Sequence, residues 1–188
     1  MHRIVVGVTG ASGMPLAERI LHHYAGIKDL EVHLIVSAGA EVVMRSEFRG
    51  SDLSLVKHVH TVHAINDMTA GPSSGSWQHD GMIICPCSMS SLASIASGAG
   101  VNLIHRAADV TLKERKKLVI VPRETPLTMI HLRNMQTLTE AGAVIAPFSP
   151  AYYDYKTTIE DMMQHFAGRI LDQLRIDNSL CSRWRDNQ

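Results

Sequence analysis

The sequence predicts a doubly wound α/β domain: a mostly parallel sheet with helices on both faces, in the manner of a Rossmann-like or flavodoxin-like three-layer sandwich. Two observations carry this. Short apolar runs recur at residues 4–8, 32–36, 81–85, 118–121 and 143–146, without the strict alternation of a sheet that is wet on one face. Segments with helical apolar spacing separate them, which is the order of βαβ units. Right-handed crossovers then bring the strand ends at Thr9, Ser37, Pro86 and Pro122 to one edge, where open α/β sheets bind ligands.

A chain of 188 residues can bury one full core, and a single domain over residues 1–188 is expected, with a polar tail from about residue 177 anchored by Trp184. The 18 Lys+Arg balance 18 Asp+Glu. That balance argues against nucleic acid or a membrane as partner, so local positive charge is expected to serve a local anion. The apolar run at residues 4–8 is too short for a signal peptide or a membrane span. Cys85, Cys87 and Cys181 show neither disulfide nor zinc spacing. A reducing, cytoplasmic setting is therefore expected, with Cys85 and Cys87 buried on one side of a strand.

The first strand, residues 3–9, runs into Gly10-Ala11-Ser12-Gly13 and a helix with Pro15 in its first turn and Leu16, Ile20, Leu21 and Tyr24 along one stripe. Strand, small-residue turn and helix start form an anion site of backbone N–H groups. The spacing Gly7-x-x-Gly10-x-x-Gly13 is neither the dinucleotide fingerprint nor a P-loop, and such a turn also serves close helix packing. The second strand ends at Ser37, where a dinucleotide enzyme places an acid for the ribose; the neutral hydroxyl argues for a mononucleotide such as FMN.

A helix over residues 41–48 carries Glu47 at its end, either solvated or functional. Residues 50–79 lack a strong period, and His58, His60 and His63 are expected on the surface or in loops because nothing completes a metal set. The loop Ser73-Ser74-Gly75-Ser76-Trp77 offers an indole that either covers a flat ring or plugs the core. After the strand at 81–85 come Ser88, Met89, Ser90 and Ser91. Capping explains one serine; three hydroxyls at a second strand end fit a phosphate better.

Residues 103–126 hold Arg106, Lys113, Arg115, Lys116, Lys117 and Arg123. A helix over 106–116 feeds the apolar run 118–121, which ends at Pro122-Arg123-Glu124-Thr125-Pro126. Arg115, Lys116 and Lys117 read as a solvated face, whereas Arg123 and Glu124, held between prolines at a strand end, are placed for chemistry. A helix over 127–141, a strand at 143–146 and a loop with Tyr152, Tyr153 and Tyr155 follow. Thr157-Thr158-Ile159-Glu160 predicts a capping box. It opens a helix whose stripe of Ile159, Met162, Met163, Phe166, Ile170 and Leu174 is expected in the core and not against a ligand. Arg169 needs an anion or solvent.

In order and spacing, TGASG at 9–13, SSGS at 73–76, PCS at 86–88, RAADVTLKER at 106–115, PRETP at 122–126 and PAYY at 150–153 resemble the flavin prenyltransferases of the UbiX type. These belong to a larger group of flavoproteins that includes flavin-dependent cysteine decarboxylases, and the match covers nearly the whole chain. The resemblance implies an FMN site of Gly10, Ala11, Ser12, Ser37, Ser88, Met89, Ser90, Ser91 and Arg123. It implies that dimethylallyl monophosphate lies against the flavin, its phosphate held by Lys113, Arg123, Tyr153 and Arg169 with Arg106 nearby. Glu47, Glu124 and Ser12 are implied as catalytic.

In such enzymes the dimethylallyl group is joined to N5 and C6 of reduced FMN, and the prenylated FMN serves a separate UbiD-type decarboxylase. A homo-oligomer, often a dodecamer, is implied as well. The chain lacks the Asp-rich pairs with which diphosphate-using prenyltransferases hold magnesium, so no metal is expected, and Lys, Arg and Tyr donors would stabilise the leaving phosphate. Two positions depart from the pattern: Ala38-Gly39 stands where relatives often have Lys, and Ser91 where Thr is common. The alternative functions on the same fold are a stand-alone aromatic-acid decarboxylase and a flavin-binding subunit of one. A cysteine decarboxylase would place an Asn-containing clamp where PRETP stands.

Overall fold

Strands β1 (His2–Val8), β2 (Leu30–Val36), β3 (Thr61–His63), β4 (Gly81–Cys87), β5 (Lys117–Pro122) and β6 (Val144–Ile145) form one parallel sheet in the order β3-β2-β1-β4-β5-β6. This computed structural model describes residues 2–49, 54–152 and 158–181. The order turns back between β1 and β4, which opens a crevice at their carboxyl ends. The missing alternation has its cause in burial on both sides. Ile4, Val6 and Val8 face a core with helices α1 (Met14–Ala25) and α6 (Ile159–Gln173), while Val5 faces α3 (Met89–Ala96) and α4 (Leu103–Lys113). Helix α2 (Ala38–Glu47) adds Ala40 to the first core, and α5 (Met129–Glu140) adds Leu138 to the second.

Several boundaries differ from expectation. Strand β3 falls within the stretch that shows no period, because three residues at a sheet edge, two of them exposed, leave no pattern to read. Helix α4 begins at Leu103, three residues before the expected start, since Asn102 accepts the N–H of His105 as its cap. It ends at Lys113, because Arg115 has a left-handed backbone (φ 57°) and the N–H of Lys116 turns back to the carbonyl of Thr111. Helix α5 starts at Met129, behind a capping box of Thr128 and His131. The box that opens α6 pairs Thr158 with Asp161, one residue later than expected; Thr157 lies outside the described residues.

Cys85 and Cys87 do not share a side. A register shift between Ile84 and Cys87 sends Cys85 into the α1/α6 core and Cys87 into the α3/α4 core. Burial pushes both thiols up, Cys87 to about 12, so neither is poised as a nucleophile. The polar tail also starts later than residue 177. Asn178 donates to the carbonyl of Gly168 at 3.3 Å and to Asp172 at 3.0 Å, and Ile176 and Leu180 pack on the core. Trp184 lies outside the described residues.

His79 locks the amino edge of the sheet to α4. Thr111 donates its hydroxyl proton to Ala107, so its oxygen accepts Nε2–H of His79 at 3.0 Å. Burial, and then the charge of Lys116, lower the ring's pKa from 6.5 to about 4. The folded value lies below the unfolded one, so the neutral ring's contribution is present above about 6.5 and is lost as pH falls toward 4. His79→Gln is therefore expected to flatten the decline of Tm across that window; an unchanged slope would show that the ring does not carry it.

Candidate active site at the carboxyl edge of the sheet

The switch point is stitched by Thr9, which is buried at the end of β1. Its hydroxyl donates to the carbonyl of Pro86 at 3.0 Å and accepts the N–H of Ser88 at 2.7 Å, fixing the start of α3 against β1. Sequence reasoning treated Thr9 only as a strand end; a hydroxyl closing an apolar run was the available signal. At Gly10 a Cβ would come within 2.9 Å of the Gly39 backbone, so these two glycines let the β1–α1 turn touch α2. That contact gives Gly39 a packing reason. Ser37 caps α2 by accepting the N–H of Ala40 at 3.1 Å.

The start of α1 was expected to take a phosphate. It holds a carboxylate of the chain itself instead. Glu47 reaches back from the end of α2 and accepts the N–H of Gly13 at 3.0 Å and of Met14 at 2.8 Å. Gly13 (φ 124°) adopts a conformation that side-chain-bearing residues rarely take. The helix end that would attract an anion is thus already neutralised, and Glu47 is held in place by it.

Glu47 lines a cavity of about 300 Å3 at this edge, with Ser12 and Arg123 as the other side chains carrying polar groups. Pro15, Leu16, Val121, Phe148, Ile159 and Met163 form its apolar walls. Phe148 is braced edge-on by Phe166 at a centroid separation of 5.0 Å. Ile159 and Met163 were expected in the core only; the first turn of α6 overhangs the sheet edge, so Ile159 is 75% exposed and both face the cavity.

Arg123 is anchored by its N–H to the carbonyl of Cys87 at 3.2 Å, and its guanidinium has no ion-pair partner among the described residues. Glu124 is directed elsewhere: it is exposed, accepts its own loop's Thr125 N–H at 3.0 Å and does not line the cavity. An acid–base role for Glu124 would need burial to raise its pKa toward neutrality, and within this chain the residue is exposed.

A second polar cluster lies across the crevice at the start of α3. The Ser88 hydroxyl accepts the Ser91 N–H at 3.3 Å and stands 3.1 Å from that of Ser90 and 3.3 Å from that of Ser91. Ser91 is buried, Ser88 and Met89 half-buried, and Ser90 exposed. Converging hydroxyls at a helix start suit a phosphate. Gly10, Ala11 and Ser37 lie at the neighbouring strand ends of the same edge.

The remaining predicted residues are not brought here within one chain. Arg106 donates to the carbonyl of Ser73 at 3.0 Å and pairs with Asp109 at 2.6 Å. Lys113 pairs with Glu114 beside Gly75, at the amino edge where β4 begins. Helix α4 runs back across the sheet, so its last residues lie opposite the cavity. Arg169 is exposed, pairs with Asp172 at 2.7 Å, and lies ten residues, about 15 Å, along α6 from Ile159. Tyr153 lies outside the described residues.

Trp77 takes the packing role: Arg3 stacks over it at 4.6 Å, with His33 edge-on at 4.8 Å and His79 stacked at 5.7 Å. The three spaced histidines diverge. His58 faces Glu18 at 3.3 Å, His60 accepts the Val32 N–H at 3.1 Å, and His63 bonds His33 at 2.9 Å.

Residues 1–170 match the family model described as Flavoprotein. The chain is 47% identical over 184 residues to flavin prenyltransferase LpdB of Lactiplantibacillus plantarum, covering 98% of each chain. Its fold superposes with a TM-score of 0.94 on AnUbiX in complex with FMN and dimethylallyl pyrophosphate, at 45% identity, covering 100% of this chain and 99% of that one. It superposes with a TM-score of 0.93 on a dodecameric FMN-dependent UbiX-like decarboxylase from Escherichia coli O157:H7, at 40% identity, covering 97% and 99%.

Proposed function

Because this chain belongs to the Flavoprotein family, and within it to the UbiX-type flavin prenyltransferases, we propose that the cavity between α1, β5 and α6 is where a dimethylallyl group meets reduced FMN. The enzyme joins the dimethylallyl group of dimethylallyl monophosphate to N5 and C6 of reduced FMN, making prenylated FMN. The observation that carries the site assignment is an apolar cavity at the switch point with one carboxylate, one guanidinium and one hydroxyl around it. Reduced FMN supplies the nucleophilic N5 and C6.

The residues divide the remaining work. Ser37, Ser88, Ser90 and Ser91 offer hydroxyls to the FMN phosphate, with Gly10, Ala11 and Met89 supplying backbone. Arg123 neutralises the phosphate that leaves with the allylic oxygen. Ser12, which makes no hydrogen bond among the described residues, is available to the same phosphate or to the flavin edge. Glu47 takes and returns protons, because a guanidinium cannot relay them.

Arg106 and Lys113 reach a cavity only from a second copy, as does Glu124 if the edge is closed by one. Exposed apolar groups at the start of α5 support such a copy: Leu127, Met129, Ile130 and Leu132 all face outward, and Leu138 is the buried residue of α5. The dodecameric relative supports it too. Cys85 and Cys87, both buried as free thiols, favour a reducing, cytoplasmic location.

The product is made for a UbiD-type decarboxylase. Protein incubated anaerobically with reduced FMN and dimethylallyl monophosphate is expected to activate such an enzyme lacking its cofactor, and to release no carbon dioxide from aromatic acids by itself. Carbon dioxide release by the isolated protein would favour a stand-alone decarboxylase.

A further inference from the structure

We propose that Met163, on the floor of the cavity, sets the length of the prenyl group and restricts the donor to five carbons. The proposal rests on the prenyltransferase reading and concerns what that same cavity excludes. At about 300 Å3 the cavity lies at the small end of the roughly 300–1,000 Å3 typical of small-molecule sites. Ser12, Glu47 and Arg123 supply its polar groups, so the phosphate-bearing end of a prenyl donor is held on their side and its hydrocarbon end on the apolar side.

Leu16, Val121 and Met163 are among the apolar residues at that end. Leu16 and Val121 are 6% and 2% exposed, and each belongs to the packed core under α1 and on β5. They cannot give way without disturbing the sheet. Met163 differs: it is half-buried, faces the cavity, and packs on the same core from the first turns of α6. Phe148 also lines the cavity and is fixed edge-on against Phe166. A second isoprene unit would therefore have to occupy the space of the Met163 thioether. Methionine is an unbranched gap-filler, so shortening it opens volume while the helix and strands stay in place.

The chemistry is the same for either chain length. The C1–O bond breaks and inorganic phosphate leaves; C1 joins N5 and C3 joins C6. The protons lost from N5 and C6 pass to C2 and to phosphate, so no oxidant or reductant is consumed. Length alone is discriminated.

The test uses the intact protein with reduced FMN under anaerobic conditions, offered dimethylallyl or geranyl monophosphate, with flavin products resolved by mass. Wild-type protein is expected to prefer the five-carbon donor. Met163→Ala is expected to raise the ratio of ten-carbon to five-carbon product by about tenfold or more, since a pocket discriminates single methylenes by roughly 10–200-fold. Met163→Val guards against a folding defect and shifts the ratio the same way; Met163→Phe, which fills the floor, lowers five-carbon use about tenfold. Bound flavin, measured by absorbance, reports whether each variant retains its site. Equal use of both donors by wild-type protein, or unchanged ratios in the folded variants, overturns the proposal. Absence of five-carbon product from wild-type protein overturns the prenyltransferase reading and this proposal with it.

Discussion

Replacing Glu47 by Gln is expected to slow prenylation by about 10²–10⁴-fold, the usual worth of a positioned acid–base group, while reduced FMN still binds. Glu47 is the carboxylate that lines the cavity among the described residues, and the N–H groups of Gly13 and Met14 hold it there. Glutamine keeps an acceptor oxygen for those two donors, so the start of α1 remains capped and the fold is retained. What it loses is proton exchange, and closing a ring on N5 and C6 requires two protons to leave. Single-turnover rates on the variant decide the matter. A near-normal rate with flavin bound would make Glu47 a brace for α1 and nothing more. Glu124→Gln is the companion measurement: in one chain its carboxylate stands outside the cavity, so a comparable loss requires a second copy to enclose it.

The second large effect is expected from mixing two defective subunits. On the proposed roles, Lys113→Ala removes a charge from the phosphate contact and Glu47→Gln the proton carrier, so each homogeneous assembly is expected to turn over slowly. If Lys113 serves the cavity of a neighbour, random co-assembly in equal amounts leaves about one quarter of the sites with both residues intact, and activity recovers to that level. Within one chain the geometry keeps Lys113 away from the cavity. Lys113 ends a helix that has crossed back to the amino edge, beside Gly75 and close in sequence to the His79 contact. No rearrangement of a side chain brings it across the sheet to Arg123 in the same chain. Mixed assemblies as slow as either parent would place Lys113 outside the reaction altogether.

Much of the fold was legible because burial on both faces leaves continuous apolar runs, and five of the six strands were found that way. Strand β3 was not, since three edge residues carry no period. The clustering of the serines at the start of α3 was legible because three hydroxyls within one helical turn at a strand end must lie close together. The start of α1 misled. A helix start reads as a receptor for phosphate, and the carboxylate that fills it comes from 34 residues further along the chain. Nothing local in the sequence marks that pairing.

The stripe of α6 was equally ambiguous. Ile159 and Phe166 share a helix stripe, yet one overhangs the sheet and the other lies beneath it. Periodicity gives the face of a helix and not how far the helix extends past the layer it covers. Arg106, Lys113 and Arg123 came from one stretch of sequence, and the sheet separates the first two from the third.

The most direct test is anaerobic incubation of the protein with reduced FMN and dimethylallyl monophosphate, followed by mass analysis of the released flavin. Addition of one five-carbon unit, with release of inorganic phosphate in equal amount, is the predicted result. Flavin of unchanged mass from protein that has bound both substrates would contradict it.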